Sequence, residues 1–170
     1  MDVGLMLFTN WRRGEMKKLV LLLVAVLSLF SIVGCTSSPA APTGTAAEIA
    51  DKIFTQAGVE PFGMSQQISD ENMEFYLGSL DYPELADSMV VMPMINLDTR
   101  VLYIIKATNK GDVEMIKTKL EENIDPNKLV CVTFSMGDVV IESRGDIIFM
   151  TINSDAEQRT ALTEAFKTIE

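Results

Sequence analysis

The spacing of apolar positions predicts three amphipathic helices after residue 44. The first begins with a capping box of Thr45 and Glu48, and the last begins with a capping box of Ser154 and Glu157. The middle helix follows Asp112, with apolar residues recurring every three or four positions. Turn-forming residues end the first two helices, namely Gly58, Pro61, Asp125 and Pro126.

Short runs of β-branched and apolar residues between these helices predict strands. Ser88–Met94 and Arg100–Ala107 flank the turn residues Asn96–Thr99, which indicates a hairpin. Pro93 places the first strand at a sheet edge or a bulge, because proline cannot donate a ladder hydrogen bond. The second strand is apolar enough to be covered on both faces. Further strands are predicted at Lys128–Phe134, Val139–Ser143 and Asp146–Ile152, and the last two flank Arg144 and Gly145 as a second, tight hairpin.

Ser69–Ser88 has no clean period and several turn formers, so irregular structure is expected there, with a short strand or helical turn around Met73–Leu77. The element order predicts an α+β domain. Its sheet is mostly antiparallel, with about five strands, and three helices pack mainly on one face.

A different pattern occupies the beginning of the chain. Leu19–Val33 is apolar except for two serines, follows two lysines, and ends at Gly34 before Cys35. This layout is typical of a secretory signal peptide. Its apolar stretch is shorter than the roughly 20 residues that a membrane-spanning helix needs. Met16 would make a natural start, so residues 1–15 are either an unused upstream start or an extended basic region.

The tetrapeptide "IVGC", which ends at Cys35, resembles the lipobox of bacterial lipoproteins. The resemblance implies cleavage between Gly34 and Cys35, a diacylglyceryl group on the Cys35 sulfur, and residence on the extracytoplasmic face of the cell membrane. A diacylglyceryl group suits a membrane anchor because two acyl chains attach a protein stably to the membrane, whereas one chain gives only reversible binding. The alternative is an uncleaved signal anchor in which the cysteine is incidental.

The predicted organisation follows from these patterns. Residues 16–34 are the signal peptide, and residues 35–44 are the lipidated cysteine and a flexible tether, because "TSSPAAPTG" is too small and polar to pack. Residues 45–170 form one domain, since the whole chain of 170 residues is long enough for one sizeable core.

The net charge of the chain after Cys35 indicates which kinds of partner it can bind. After Cys35 there are 10 Lys and Arg residues against 22 Asp and Glu residues, a net charge of −12. Such a surface repels nucleic acid and anionic lipid headgroups, so we expect no nucleic-acid partner and membrane attachment only through the lipid. An unknown envelope protein or ligand is the expected partner.

The residue types available for catalysis and metal binding favour a binding protein over an enzyme. The chain has no histidine, which removes the commonest general base and the commonest zinc ligand. Cys131 is the thiol left besides Cys35, and its apolar neighbours indicate a buried position. We therefore predict a non-enzymatic protein without a metal or cofactor and without catalytic residues.

Two alternatives stay open. Met89, Met92 and Met94 are soft donors that could hold Cu(I), although residues three apart in a strand face opposite sides. An extracytoplasmic hydrolase could use paired carboxylates. The acidic stretches that could supply such a pair contain Asp70, Glu71, Asp81, Glu84 and Asp87.

The segments "TAAEIADKI", "VLYIIKATNKGDVEMIKTKLEE" and "RGDIIFMTI" are together similar to a bacterial family catalogued as domain of unknown function 4358, which comprises small lipoproteins of Gram-positive bacteria. The similarity spans roughly residues 45–170. It implies a lipoprotein and carries no activity with it, because the family has none established.

Overall fold

The computed structural model describes residues 40–95, 97–127 and 133–170. Within them, five strands form one antiparallel sheet in the order β1-β2-β3-β5-β4. The strands are β1 (Met64–Ile68), β2 (Ser88–Met92), β3 (Val101–Lys106), β4 (Val139–Arg144) and β5 (Ile147–Ile152). Four helices accompany them: α1 (Ala46–Ala57), α2 (Met73–Leu77), α3 (Val113–Asn123) and α4 (Ala156–Thr168).

Both predicted hairpins are confirmed. β2 pairs with β3 in antiparallel register, and β4 pairs with β5 around the tight turn at Gly145, where φ is 65°. The edge position predicted from Pro93 is wrong, because β2 lies between β1 and β3. The strand ends at Met92, so the proline follows the ladder and needs no donor there.

α1 begins as predicted. The Thr45 hydroxyl accepts from the Glu48 backbone N–H at 3.2 Å, and the Glu48 carboxylate accepts from the Thr45 N–H at 2.8 Å. Gly58 ends the helix in the left-handed region at φ 64°, a conformation that glycine adopts without steric cost. The capping box therefore fixes where the domain's first helix starts.

The predicted cap of the last helix is one residue out of place. Asp155, and not Ser154, is the N-cap of α4, and its carboxylate accepts from the N–H groups of Glu157 and Gln158 at 3.0 and 3.1 Å. The Asn153 side chain accepts from the Asp155 N–H at 2.9 Å, which fixes the chain one residue before the helix. Serine and aspartate are both good caps, so composition alone did not separate them.

The sheet is covered on both faces. α1 and α4 pack on a first face, where Phe166 stacks on Phe149 with ring centroids 5.0 Å apart. α2 and α3 pack on a second face through Leu77 and Leu120, among others. The α+β class with a five-stranded antiparallel sheet is thus confirmed, but the helices predicted mainly for one face are divided between the two.

The alternation of side chains along the strands explains the division. The first face receives Met89, Val91, Leu102, Ile104, Ile147 and Phe149. The second face receives Val90, Tyr103, Ile105, Ile148 and Met150. Because most successive residues of β2, β3 and β5 are apolar, each face must be covered. Burying one large aliphatic side chain contributes about 1.5–3 kcal/mol.

Two other segments differ from expectation. β1 was not predicted, and the helical turn expected at Met73–Leu77 is present as α2. The predicted strand Lys128–Phe134 lies mostly outside the described residues, and its last two residues, Thr133 and Phe134, are not in a strand.

Candidate functional site

The residues predicted for lipidation and cleavage, Cys35 and Gly34, lie outside the described residues, and so does Cys131. The described part of the chain contains no helix that is both long and apolar enough to cross a membrane.

The end of the predicted tether, in contrast, is described and lies against the domain. Pro42 is buried, the Ala40 carbonyl accepts from the Arg144 guanidinium, and the Thr43 carbonyl accepts from Lys52 Nζ at 3.2 Å. The prediction of a flexible tether as far as residue 44 is therefore wrong for its end, where Ala40, Pro42 and Thr43 contact the domain. The chain thus enters the domain beside the β4–β5 turn.

The three methionines considered as copper ligands lie in different parts of the domain. Met89 is buried on the first face, Met92 packs against the second face, and Met94 is 81% exposed in the connection between β2 and β3. The described geometry therefore does not bring these three methionines together. Within the described ranges, no group of three or more acidic or Cys side chains is arranged to hold a metal ion.

The acidic residues considered for hydrolysis have separate surroundings. Asp87 accepts from the Ala46 N–H at 2.6 Å and so supports the start of α1. Asp81 pairs with Lys119 at 2.6 Å. The remaining residues, Asp70, Glu71 and Glu84, are exposed. Two of the five carboxylates thus support a helix start and an ion pair, and the other three face solvent.

A feature that the sequence did not predict is an apolar cleft on the second face, with a cavity volume of about 120 Å³. Its floor is formed by β3 and β5 residues paired across the sheet, Tyr103 with Met150 and Val101 with Ile152. Walls come from α2, from the C-terminal end of α3, and from the connection between β2 and β3. Phe134, after the undescribed residues 128–132, also lines it.

One ion pair lies at the cleft. The Arg100 guanidinium donates to Asp98 Oδ2 at 2.6 Å through Nη2 and at 2.8 Å through Nε, and Nε also donates to Oδ1 at 3.1 Å. These hydrogen bonds lower the pKa of Asp98 and raise the pKa of Arg100. Arg100 also lies over the Phe62 ring, 5.1 Å from its centroid. The pair is therefore fixed and its two charges offset each other.

Two tyrosines hold the helical wall on the sheet. The Tyr103 hydroxyl donates to the Tyr76 carbonyl at 3.1 Å, and the Tyr82 hydroxyl donates to the Leu77 carbonyl at 3.1 Å. Burial raises the pKa of both hydroxyls, so both are neutral donors near neutral pH. Asn123 of α3 donates to the Tyr82 oxygen at 3.3 Å. These bonds fix α2 and α3 relative to the sheet and give the cleft its shape.

Comparison with known proteins adds no relative, because no family model, curated protein or solved structure matches the chain. The resemblance to the lipoprotein family therefore stays a prediction.

The cleft was missed because its lining residues are far apart in the chain. Its lining includes Tyr76 of α2, Arg100 of the β2–β3 connection, Leu120 of α3 and Met150 of β5, which meet only in the folded domain. One signal was present in the sequence. The run "MPMINL" puts large apolar residues at the start of a predicted turn, where polar residues are usual.

Proposed function

We propose that this protein is a lipid-anchored lipoprotein on the extracytoplasmic face of the cell membrane, and that its α+β domain is a non-enzymatic binding module. The anchor part of the proposal is carried by the sequence layout of Leu19–Cys35, in which a basic and an apolar region precede a small residue and a cysteine. The acidic domain would otherwise be repelled by anionic membrane lipids.

The cleft supports the binding part. Its lining is mainly apolar, and its charged members are the mutually compensated pair of Asp98 and Arg100 and the carboxylate of Asp125, which suits recognition of an apolar group. Catalysis would require a nucleophile or general base within hydrogen-bond reach of a reacting atom. The described polar side chains at the cleft, such as Asn123 and Asp98, are engaged in holding the fold.

Metabolic labelling with a radioactive or alkyne-bearing fatty acid tests the anchor. We expect the full chain to incorporate the label and to be shortened at Gly34, and we expect Cys35→Ala to lose both. The matched control is Cys131→Ala, which should be labelled like the wild type. Labelling that persists in Cys35→Ala would refute the proposal, because another residue would then carry the acyl chain.

A further inference from the structure

The rim of the cleft carries an unusual number of exposed apolar side chains. Met94, Ile95 and Leu97, in the connection between β2 and β3, are 81%, 63% and 65% exposed. Ile95 lines the cleft itself. Clustered exposure of large apolar residues in an otherwise highly charged domain marks an interaction surface.

The size of the cleft indicates what enters it. Sites for drug-sized ligands enclose about 300–1,000 Å³, whereas an apolar cavity of about 150 Å³ accommodates benzene. A cavity of about 120 Å³ is therefore matched to one large side chain and is too small to enclose a whole lipid or cofactor. A protein partner that inserts one anchoring side chain fits this size, since such anchors dominate interface energies.

The charge around the cleft indicates what flanks that side chain. Asp125 lines the cleft and forms no ion pair with any described residue, and the same holds for Glu121 and Glu122 at the nearby end of α3. Arg100 does not offset these charges, because its own charge is compensated by Asp98. Basic residues on either side of the anchoring side chain would complement this surface.

The position of the cleft agrees with a protein partner. The chain enters the domain beside Gly145, whereas the cleft lies at the other end of β5, near Ile152. From Ile147 to Ile152 a strand rises about 17 Å. The cleft therefore lies at the end of the sheet away from the point where the chain enters the domain.

We propose that the cleft binds a protein segment in which one large apolar side chain is flanked by Lys or Arg residues. The apolar side chain enters between α2, α3 and the sheet. Met94 and Leu97 contact the segment outside the cavity, and the carboxylates at the end of α3 attract its basic flanks. This proposal deepens the proposed function by naming the class of partner.

A designed peptide tests it. Trp11 is the only tryptophan of the chain and lies in the segment that cleavage after Gly34 would remove. Expression with Trp11→Phe and measurement in nonionic detergent therefore leave tryptophan emission to the peptide alone, whether or not cleavage has occurred. The probe is a seven-residue peptide with a central Trp between alanines and two Lys at each end. We expect a saturable shift of its emission to shorter wavelength, beyond the shift that protein-free micelles produce. The shift should be absent for the same peptide with Glu in place of Lys.

Two protein variants locate the binding. Ile95→Ser should weaken the peptide about tenfold, because it removes an apolar wall of the cleft without changing the charge. Met115→Ser is the matched control, since Met115 is 53% exposed on α3 and does not line the cleft. It should change the affinity less than twofold.

The proposal is overturned by any of three results. They are an absent saturable shift, equal binding of the Glu peptide, and equal weakening by Met115→Ser. Vesicles of phosphatidylglycerol test the competing occupant: if Ile95→Ser abolishes binding of the chain to vesicles and leaves the peptide unaffected, the rim contacts lipid instead. Fatty-acid labelling of Cys35 is read independently, so a failed anchor and a failed partner class are distinguishable.

Discussion

Arg144 is expected to be a main stabilising contact between the chain entry and the rest of the domain. Its guanidinium donates through Nη1 to the Phe166 carbonyl at 2.6 Å and to the Ile169 carbonyl at 2.8 Å, and through Nη2 to the Ala40 carbonyl. The substitution Arg144→Met removes these donors and keeps most of the apolar stem. It therefore tests the polar contacts of the guanidinium, which also lies 5.9 Å from the centroid of the Phe166 ring, with little change in packing.

The expected loss follows from two opposing effects. A hydrogen bond with a charged partner contributes about 1.5–3 kcal/mol, and three are lost. Against this, burial lowers the pKa of Arg144, and its Nε has no hydrogen-bond partner among the described residues, so the folded state carries a desolvation cost that methionine does not. Water can also reach part of the freed carbonyls. We expect a net loss of about 2 kcal/mol from the free energy of unfolding.

Urea unfolding followed by far-ultraviolet circular dichroism measures this loss, and limited proteolysis within residues 40–44 measures release of the chain entry. Lys110→Met is the matched control, because Lys110 is exposed and its side chain forms no hydrogen bond with any described residue. A loss below about 0.5 kcal/mol together with unchanged protection from proteolysis would refute the reasoning, since it would mean that solvent replaces all three bonds.

Three further predictions concern other contacts. Asp87→Asn should lower the free energy of unfolding by about 1 kcal/mol, because the start of α1 loses the charged acceptor that lies 2.6 Å from the Ala46 nitrogen. Urea unfolding measures this loss. Hydrogen bonds from Arg100 lower the pKa of Asp98, so the pair stabilises the fold at pH values above the ordinary carboxyl pKa of about 3.9. This stabilisation is lost as the pH falls through the lowered pKa, and NMR titration of the carboxyl group measures the shift. Gly58→Ala should lower the free energy of unfolding by about 1 kcal/mol. The loss comes from the positive φ alone, because a Cβ at this position meets no atom within 4 Å, and thermal unfolding measures it.

Each of these has a contradicting outcome. Glu84→Gln, at an exposed carboxylate, is the control for Asp87→Asn, and equal losses would show a general charge effect. An Asp98 pKa that stays lowered in Arg100→Gln would assign the shift to another cause. For Gly58→Ala, an unchanged midpoint would mean that the helix end adopts another conformation.

Local signals were sufficient where neighbours in the chain determine structure. The Thr45 and Glu48 capping box and the turn at Gly145 depend on residues a few positions apart, and both were predicted correctly. The apolar strand predicted at Arg100–Ala107 was expected to be covered on both faces, and the observed β3, Val101–Lys106, is. That same expectation implied helices on both sides of the sheet, which the predicted arrangement did not include.

Distant contacts could not be read in the same way. β1 has the polar sequence "MSQQI" and a largely exposed surface, and backbone pairing with β2 is what holds it in the sheet. Its side chains therefore carry little strand signal. The cleft likewise depends on how α2 and α3 settle on the second face, which is fixed by bonds such as that from Tyr103 to Tyr76, 27 positions apart.

The contacts at the chain entry also have a mechanical consequence. Tension applied before Ala40 reaches Arg144 and the β4–β5 turn before it reaches α1, because residues 40–44 lie against the domain. Rupture of those few bonds would free five residues, which can extend by at most about 17 Å. The connection could thus lengthen under load while the sheet and its two helical layers stay intact.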